Sequence, residues 1–295
     1  MTTPMLRLRV LASAAVRRLG GVPAAPSAAP APQPVEPVET VDFVCNVCAG
    51  HNAAVPLHHV QNREGQSCRH CHSSLRMRSL VRALSLELFG QALTLPDFPE
   101  NKAIHGLGMS DWEGYANRLA EKFSYTNTYY HTEPFLDITQ VPEARFGTQR
   151  FLISSDVFEH IPGFALAAAF RNARRLLDDE GFFLLTVPFV KSGVTQEHYP
   201  RLHDFRIIET AGKRFVYNRT ASGEEEIFDN PVFHGGDGMT LEMRMFSEAD
   251  LRRDLEAAGF SEIRIYADQC PEFGILWPID WAVPIVARAR LGDRA

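Results

Sequence analysis

Four of the five cysteines in this chain fall into two closely spaced pairs, and this spacing restricts the fold more than any other feature of the sequence. Cys45 and Cys48 form one C-x2-C pair, and Cys68 and Cys71 form another after 19 intervening residues. Each such turn places two thiolates on one side of a tight knuckle, and two knuckles supply the tetrahedral ligands of a structural Zn2+ ion. We therefore predict a small zinc ribbon or knuckle, in which the metal supplies most of the folding free energy.

Other uses of these cysteines fit the sequence less well. Disulfides need an oxidising compartment, and the sequence shows no secretory signal. A redox-active C-x-x-C pair normally occurs once, in a βαβ context, whereas here the pair occurs twice. Nearby histidines could replace a ligand, but four cysteines already complete a closed site. These histidines are His51, His70 and His72, and the fifth cysteine, Cys270, is expected to be an ordinary buried or loop residue.

The start of the chain differs in composition from the rest. Residues 5–19 could form a basic amphipathic helix, and residues 20–37 are almost entirely Ala, Pro, Gly and Ser. Such a composition buries too little apolar surface to fold, so residues 1–40 are predicted to be a disordered basic leader and linker. A weak membrane-surface anchor and an organelle transit peptide stay open as alternatives for the leader. No stretch approaches the roughly 20 apolar residues of a transmembrane segment, and we expect a cytoplasmic protein.

Beyond the cysteines, helix-like and strand-like segments alternate. Apolar residues recur at helical spacing from Leu75 to Gly90, and Ser247 with Asp250 forms a predicted capping box. The alternation predicts an α/β fold with a Rossmann-like, doubly wound, mostly parallel sheet. The expected strands are 102–107, 126–130, 150–154, 182–187, 263–267 and 281–287, and the expected helices are 114–123, 164–177 with Gly181 just past its end, and one that starts after Ser247.

These segments predict the domain organisation. The leader and linker, residues 1–40, are followed by the zinc module at 41–74 and a connecting helix at 75–100. The α/β domain takes up residues 101–295. Residues from about 190 to 245 are rich in His, Tyr, Phe, Gly and acids, and they are predicted to be an insertion of short strands and loops.

Three segments of the larger domain carry a recognisable pattern. They read Phe-Leu-Asp-Ile-Thr at 135–139, Phe-Leu-Ile-Ser-Ser-Asp-Val-Phe-Glu-His-Ile-Pro at 151–162 and Leu-Leu-Asp-Asp-Glu-Gly-Phe-Phe-Leu-Leu-Thr-Val-Pro at 176–188. With residues 239–247 and 255–260, they resemble the class I S-adenosylmethionine-dependent methyltransferases over about residues 102–290. The resemblance implies the class I methyltransferase fold, with S-adenosylmethionine as cofactor.

The resemblance also implies which residues bind the cofactor. Asp137 matches the acid that follows the third strand near the adenine amino group, and Asp156 follows the fourth strand at the cofactor and substrate mouth. Glu133 follows the second strand, where a carboxylate can accept both hydroxyl donors of a ribose. The glycine-rich first loop is reduced to Gly106 and Gly108, because the third glycine and the usual acid ahead of them are missing.

Methyl transfer to an alcohol or amine needs an aligned acceptor and a base for its proton. The candidates for this catalytic base are Glu159, His160, His198, His203 and His234. Glu159 and His160 could instead stabilise the start of a helix, and the other histidines could be hydrogen-bonded packing residues. A second metal site built from these histidines would lack the usual ligand spacing.

The leading functional hypothesis is a methyltransferase acting on an O or N atom of a small-molecule or carbohydrate-like acceptor. One alternative is an RNA methyltransferase that grips phosphates with the zinc module and an arginine-rich segment, residues 69–82. The formal net charge of −6 counts against nucleic acid as partner. Another alternative is a non-catalytic, methyltransferase-like scaffold or binding protein, which the eroded glycine loop favours. The sequence does not indicate an oligomeric state.

Overall fold

The computed structural model describes residues 38–210, 212–234, 240–279 and 281–288. Most of the predicted leader and linker, residues 1–37, lies outside the described residues. Both cysteine pairs and the central sheet belong to one compact unit. The domain boundaries at residues 74 and 100 therefore stay predictions.

The cysteines lie around a small hairpin at the start of the described chain. Strands β1 (Thr40–Val44) and β2 (His51–Pro56) are antiparallel, and the short helix α1 (Leu57–Gln61) follows. Helix α2 (Leu75–Phe89) begins at Ser74, whose side chain accepts a hydrogen bond from the Met77 N–H. It ends at Gly90 in the left-handed conformation, with φ of 68°. The predicted helix is confirmed.

A six-stranded sheet forms the centre of the larger region. Its strands are β3 (His105–Met109), β4 (Ser124–Thr128), β5 (Gln149–Ser155), β6 (Leu177–Thr186), β15 (Glu262–Ile265) and β16 (Ile285–Arg288). Their order is β15-β16-β6-β5-β3-β4, and β16 is antiparallel to both of its neighbours. The strands β3, β4, β5 and β6 pair in parallel. The prediction of a doubly wound, mostly parallel α/β sheet is confirmed.

Helices cover both faces of this sheet. Helix α3 (Glu113–Lys122) packs with α2 on one face, against Phe151 and Phe182 among others. Helices α4 (Gly163–Leu176) and α5 (Glu248–Ala257) pack on the opposite face, against Leu152 and Phe183. Adjacent residues of β5 and β6 thus face opposite sides, as the two-residue period of a strand requires.

Three predicted element boundaries differ from the structure. The predicted strand at 281–287 corresponds to β16, which begins only at Ile285. The predicted strand at 102–107 starts later, at His105, because Asn101 holds residues 101–104 in a turn. Gly181 does not follow the end of a helix but lies inside β6, which begins directly after α4. A Cβ at Gly181 would lie only 2.9 Å from the carbonyl oxygen of Gln149, so the close strand pairing favours glycine there.

Where the structure describes the insertion, outside residues 211 and 235–239, the chain forms eight short strands. The strands are β7 (Phe189–Val190), β8 (Gln196–Glu197), β9 (Asp204–Thr210), β10 (Lys213–Arg219), β11 (Glu225–Phe228), β12 (Phe233–His234), β13 (Thr240–Leu241) and β14 (Arg244–Ser247). Strands β9, β10 and β11 form an antiparallel sheet, and β14 pairs with β7 and β8. Ser247 caps α5 by accepting from the Asp250 N–H, but Asp250 accepts from the Thr195 N–H rather than from Ser247. Only half of the predicted capping box forms.

In the part of the chain that the structure describes, no helix has the length and apolarity needed to cross a bilayer.

Candidate functional site

The two cysteine knuckles come together with the geometry of a tetrahedral metal site. Cys45 Sγ lies 3.7 Å from Cys71 Sγ, and Cys48 Sγ lies 3.8 Å from Cys68 Sγ. All four sulfur atoms lie within 4.8 Å of one another. A tetrahedral ion with Zn–S bonds of about 2.3 Å places its sulfur ligands about 3.8 Å apart. The four residues therefore fit Zn2+, as the spacing predicts.

Polar groups around the knuckles support the sulfur atoms. The Ser73 hydroxyl lies 3.1 Å from Cys45 Sγ, and the Asn52 side-chain amide donates to Cys68 Sγ at 3.6 Å. Arg78 is fully buried and donates to the carbonyl oxygens of Ser73 and Gly274. Burial lowers the pKa of Arg78, while the nearby cysteine sulfurs oppose this shift. A buried cation here offsets the negative charge of a four-thiolate centre.

The second polar cluster lies at the carboxyl edge of the central sheet. The chain leaves β3 in one direction to form β4 and returns on the other side to form β5. Open parallel sheets bind ligands at such a switch point, outside the carboxyl ends of the strands. The loops there contain two non-glycine residues with positive φ, Ser110 at 56° and Asp156 at 54°. Backbone in this region is costly for such residues and is concentrated at functional sites.

Asp156 is held by an arginine from the segment between the two cysteine pairs. Arg63 donates to both carboxylate oxygens, at 2.8 and 2.7 Å, and Thr186 adds a third hydrogen bond. Arg63 also donates to the carbonyl oxygen of Ala282. Burial alone would raise the pKa of Asp156, but Arg63 and Arg76 hold it well below its ordinary value. Asp156 is therefore a buried carboxylate that is fixed in position.

A second arginine, Arg76, lies beside this pair at the start of α2. It donates to the Ser155 hydroxyl at the end of β5 and to both carboxylate oxygens of Glu64. Its side chain is 15% exposed, and that of Arg63 is 13% exposed. The sequence analysis missed Arg63, Glu64 and Arg76 as site residues. Arg76 carried a signal, since it belongs to the arginine-rich segment, but the other two carried none.

Gly106 and Gly108 lie inside strand β3 rather than in a loop. A Cβ at Gly106 would overlap the ring of Phe151, and one at Gly108 would overlap the side chains of Tyr125 and Asp111. Close packing of aromatic rings over β3 therefore accounts for both glycines. Their predicted contact with the cofactor is untested.

Asp111, in the loop after β3, is a buried acid that the sequence analysis did not single out. Its carboxyl group accepts hydrogen bonds from the hydroxyls of Tyr115 and Tyr125. Burial raises the pKa of Asp111 to about 7, although these hydrogen bonds oppose the rise. The same burial raises the pKa values of both tyrosines. The loop beside the switch point therefore holds an acid that titrates near neutral pH.

The two other predicted cofactor-binding acids lie in the loop after β4. This loop contains an isolated bridge between Tyr129 and Phe135, both of which follow the end of β4. The exposed Glu133 accepts from the Phe135 N–H, and Asp137 accepts from the Thr139 N–H and hydroxyl. Each carboxylate thus stabilises its own turn and retains free acceptor positions.

Three of the five base candidates surround residues 241–243. Glu159 and His160 form a 3-10 turn before α4, and His160 Nδ1 donates to the carbonyl oxygen of Leu241 at 3.0 Å. His198 Nε2 lies 3.0 Å from a carboxylate oxygen of Glu242. Since Leu241 O can only accept, Nδ1 of His160 carries a proton, and Nε2 lies 3.9 Å from a carboxylate oxygen of Glu159.

The other two candidates do not join this group in the same way. His203 is exposed, its backbone N–H donates to Asn218, and its ring lies 6.3 Å from that of Phe164. Of His234 the structure describes only the backbone, which pairs with Thr240. Arg244, which the sequence analysis missed, is fully buried and donates to the carbonyl oxygens of Phe158 and Ile161. It thereby positions the turn that carries Glu159 and His160.

Within the described ranges, the four cysteines are the only group of side chains placed closely enough to hold a metal ion. Surface hollows lie away from the carboxyl edge. One is lined by residues 213–215 and 229–233, and another by residues 147–150 and 178–180. Neither is lined by a predicted site residue.

Comparisons with known proteins give similarities only among solved structures. No protein-family model matches the chain, and no curated protein matches it. A sugar N-methyltransferase, KedS8 from Streptoalloteichus sp ATCC 53650, is 13% identical, with a TM-score of 0.40 over 71% of this chain and 85% of that one. An S-adenosylmethionine-dependent methyltransferase from Clostridium acetobutylicum is 11% identical, with a TM-score of 0.35 over 63% and 84%.

A protein from Rhodobacter sphaeroides described as a Zn-dependent alcohol dehydrogenase is 10% identical, with a TM-score of 0.38 over 71% of this chain and 88% of that one. Similarities of this size do not distinguish one reaction from another. The function has to be argued from the residues of the chain itself.

Proposed function

We propose that the chain is an S-adenosylmethionine-dependent methyltransferase that acts on an O or N atom of a small-molecule or carbohydrate-like acceptor. The observation that carries the proposal is the cluster at the switch point of the sheet. Two strained loops, after β3 and β5, meet there beside two buried arginines. The segments that resemble the methyltransferase family supply the second of these loops and Asp137.

The residues at the carboxyl edge have the chemistry to bind this cofactor. Glu133 and Asp137 offer carboxylate oxygens to hydroxyl and amino donors, and Arg76 offers a cationic group to a carboxylate. When bound, the cofactor would supply an electrophilic methyl group on a sulfonium. His160, whose Nε2 lies beside Glu159, is the candidate to take the proton of the acceptor, and Arg244 holds its turn in position.

Calorimetric titration with S-adenosylhomocysteine tests this proposal. We expect binding at a micromolar dissociation constant, weakened about tenfold in Asp137→Asn, which keeps the turn but removes the charge. Asp179→Asn, an exposed acid outside the carboxyl edge, is the matched control and should bind as the unaltered protein does. A folded, zinc-loaded protein that does not bind the nucleoside would contradict the proposal.

The RNA methyltransferase alternative loses support at its arginine-rich segment. Arg78 is fully buried against the cysteine knuckles, and Arg76 is paired with Glu64. Burial keeps Arg78 from a phosphate backbone, the Arg76 side chain is only 15% exposed, and the exposed Arg69 donates to the carbonyl oxygen of Ala54. Specific and non-specific RNA binding both depend on accessible cations, so we expect no salt-dependent RNA affinity from this face.

The non-catalytic alternative has one observation in its favour. The space that a glycine-rich loop would leave open beside Gly108 is filled by the side chains of Asp111 and Tyr125. If the protein does not bind S-adenosylhomocysteine in the titration, the result would therefore support a non-catalytic binding or scaffold protein.

A further inference from the structure

The Arg76–Glu64 pair differs from the neighbouring Arg63–Asp156 pair in one respect. Both are arginine–carboxylate pairs with two hydrogen bonds, and the Arg76 bonds to Glu64 measure 2.8 Å from Nε and 2.6 Å from Nη2. Asp156 is 10% exposed and is also held by Thr186. Glu64 is 48% exposed and lies in the segment between the two cysteine pairs. Glu64 also accepts a hydrogen bond from Arg63, but it is the more exposed of the two carboxylates and therefore the one that a ligand from solvent can reach.

Departure of Glu64 would leave Arg76 with Asp156 as its charged neighbour, 3.3 Å from Nε, and Asp156 is already paired with Arg63. Arg63 and Arg76 together carry two positive charges, and Asp156 and Glu64 balance them. Without Glu64 the cluster has a net charge of +1, on side chains that are mostly buried. An uncompensated buried cation is unfavourable, so the position favours any anion that can reach it.

The geometry of the pair specifies which anion fits. Nε and Nη2 of one guanidinium form a planar, two-donor edge that matches the two oxygens of a carboxylate. The third contact of Arg76, to the Ser155 hydroxyl, fixes this edge next to the end of β5. Glu64, which covers this edge of Arg76, is 48% exposed, whereas the Arg76 side chain is 15% exposed, so a ligand would reach the edge by taking the place of Glu64.

We propose that this edge of Arg76 binds the carboxylate of a ligand, and that Glu64 occupies the position until the ligand displaces it. The ligand carboxylate has two possible sources under the proposed function, on which this inference rests: the amino-acid part of the cofactor or an acidic acceptor. Either way, the segment between the cysteine pairs acts as an internal competitor for the site. If Glu64 covers the edge nine-tenths of the time, its removal strengthens ligand binding about tenfold.

The test compares Glu64→Gln with the unaltered protein by calorimetry, using three probes. S-adenosylhomocysteine carries the amino-acid carboxylate, 5′-methylthioadenosine lacks it, and malonate carries carboxylates without a nucleoside. Glu100→Gln is the matched control, since Glu100 is exposed and lies outside the cluster. Thermal melting checks that each variant is folded.

Tighter binding of S-adenosylhomocysteine in Glu64→Gln, with methylthioadenosine unchanged, supports the inference and identifies the cofactor as the source. If only Glu64→Gln gains malonate binding, the result supports the inference and identifies an acidic acceptor as the source of the carboxylate. This support holds even if neither nucleoside binds and the proposed function fails. In both cases Arg76→Lys, added to Glu64→Gln, should abolish the gain. Equal tightening of both nucleosides, no gain for any carboxylate, or a gain that survives Arg76→Lys would overturn the inference.

Discussion

The cysteine knuckles and the carboxyl edge of the sheet are both polar centres, and they are assembled in opposite ways. Each knuckle is a local turn, closed by a hydrogen bond from Ala49 N–H to Cys45 O in one and from His72 N–H to Cys68 O in the other. The carboxyl edge joins segments far apart in the sequence, and Arg63 spans from Asp156 to Ala282. Local spacing specifies the first centre, whereas only the complete fold specifies the second.

Removing the metal should have the largest effect on the structure. It disrupts the cysteine knuckles directly, and the carboxyl edge is disrupted as a consequence. In Cys68→Ser we expect loss of bound zinc and unfolding of the segment from β1 to α1, since the metal supplies most of its folding free energy. Arg63 then no longer holds Asp156. Hydrogen–deuterium exchange should rise at residues 40–67 and also at residues 154–158.

Cys270→Ser is the control for this prediction, because Cys270 lies outside the knuckles. It should leave zinc content and exchange unchanged. Stoichiometric zinc and unaltered exchange in Cys68→Ser would show that the two centres are not coupled.

Removing Arg78 tests whether the knuckles depend on a buried cation as well as on the metal. Arg78→Met leaves the carbonyl oxygens of Ser73 and Gly274 without their donor and removes the charge beside the sulfur atoms. We expect a loss of about 3–5 kcal/mol in the free energy of unfolding, measured by urea denaturation. Arg69→Met, at an exposed arginine of the same segment, should change it by less than about 0.5 kcal/mol.

The success of the sequence predictions depends on the same difference between local spacing and the complete fold. The four cysteines, the helix from Leu75 and the mostly parallel sheet were predictable, because each depends on short-range spacing or periodicity. Arg63 and Glu64 were not, since an arginine and a glutamate in a polar segment give no sign of burial against residue 156. The sequence predicts a cofactor-binding loop at Gly106 and Gly108, because no sequence pattern shows that the side chains of Phe151 and Tyr125 lie over them.

Asp111, the buried acid beside the switch point, makes the free energy of unfolding depend on pH. Burial raises the pKa of Asp111 from 3.8 to about 7, so the folded state binds its proton more tightly than the unfolded state. The contribution to stability is therefore lost as the pH rises from about 4 to about 7 and changes no further above that. Asp111→Asn removes this contribution, and the variant should gain about 2–4 kcal/mol relative to the unaltered protein across that range.

Urea denaturation of both proteins between pH 4.5 and pH 8 measures this difference, and the other titrating groups cancel in it. A difference in the free energy of unfolding that does not vary with pH would contradict the assignment of a raised pKa to Asp111.

A substitution at Gly108 should have the smallest of these effects. The Cβ of Gly108→Ala would overlap the side chains of Tyr125 and Asp111, and overpacking of this kind costs about 1–3 kcal/mol. Gly147→Ala is not a clean comparison, because Gly147 has φ of 69°. A Cβ at Gly163 would make only ordinary contacts, 3.6 Å from Arg244 and 3.9 Å from Glu197, so Gly163→Ala should be nearly neutral. Thermal melting of both variants checks the difference, and equal melting temperatures would show that the packing over β3 is looser than described.

The most direct test of the account is where S-adenosylhomocysteine binds. Hydrogen–deuterium exchange of the zinc-loaded protein, with and without the nucleoside, locates the contact. We predict slower exchange at residues 109–113 and 154–158, the two loops at the switch point, and no change in strands β9 to β11. Protection confined to β9 to β11, or none anywhere in the chain, would contradict the claim that the carboxyl edge is the cofactor site.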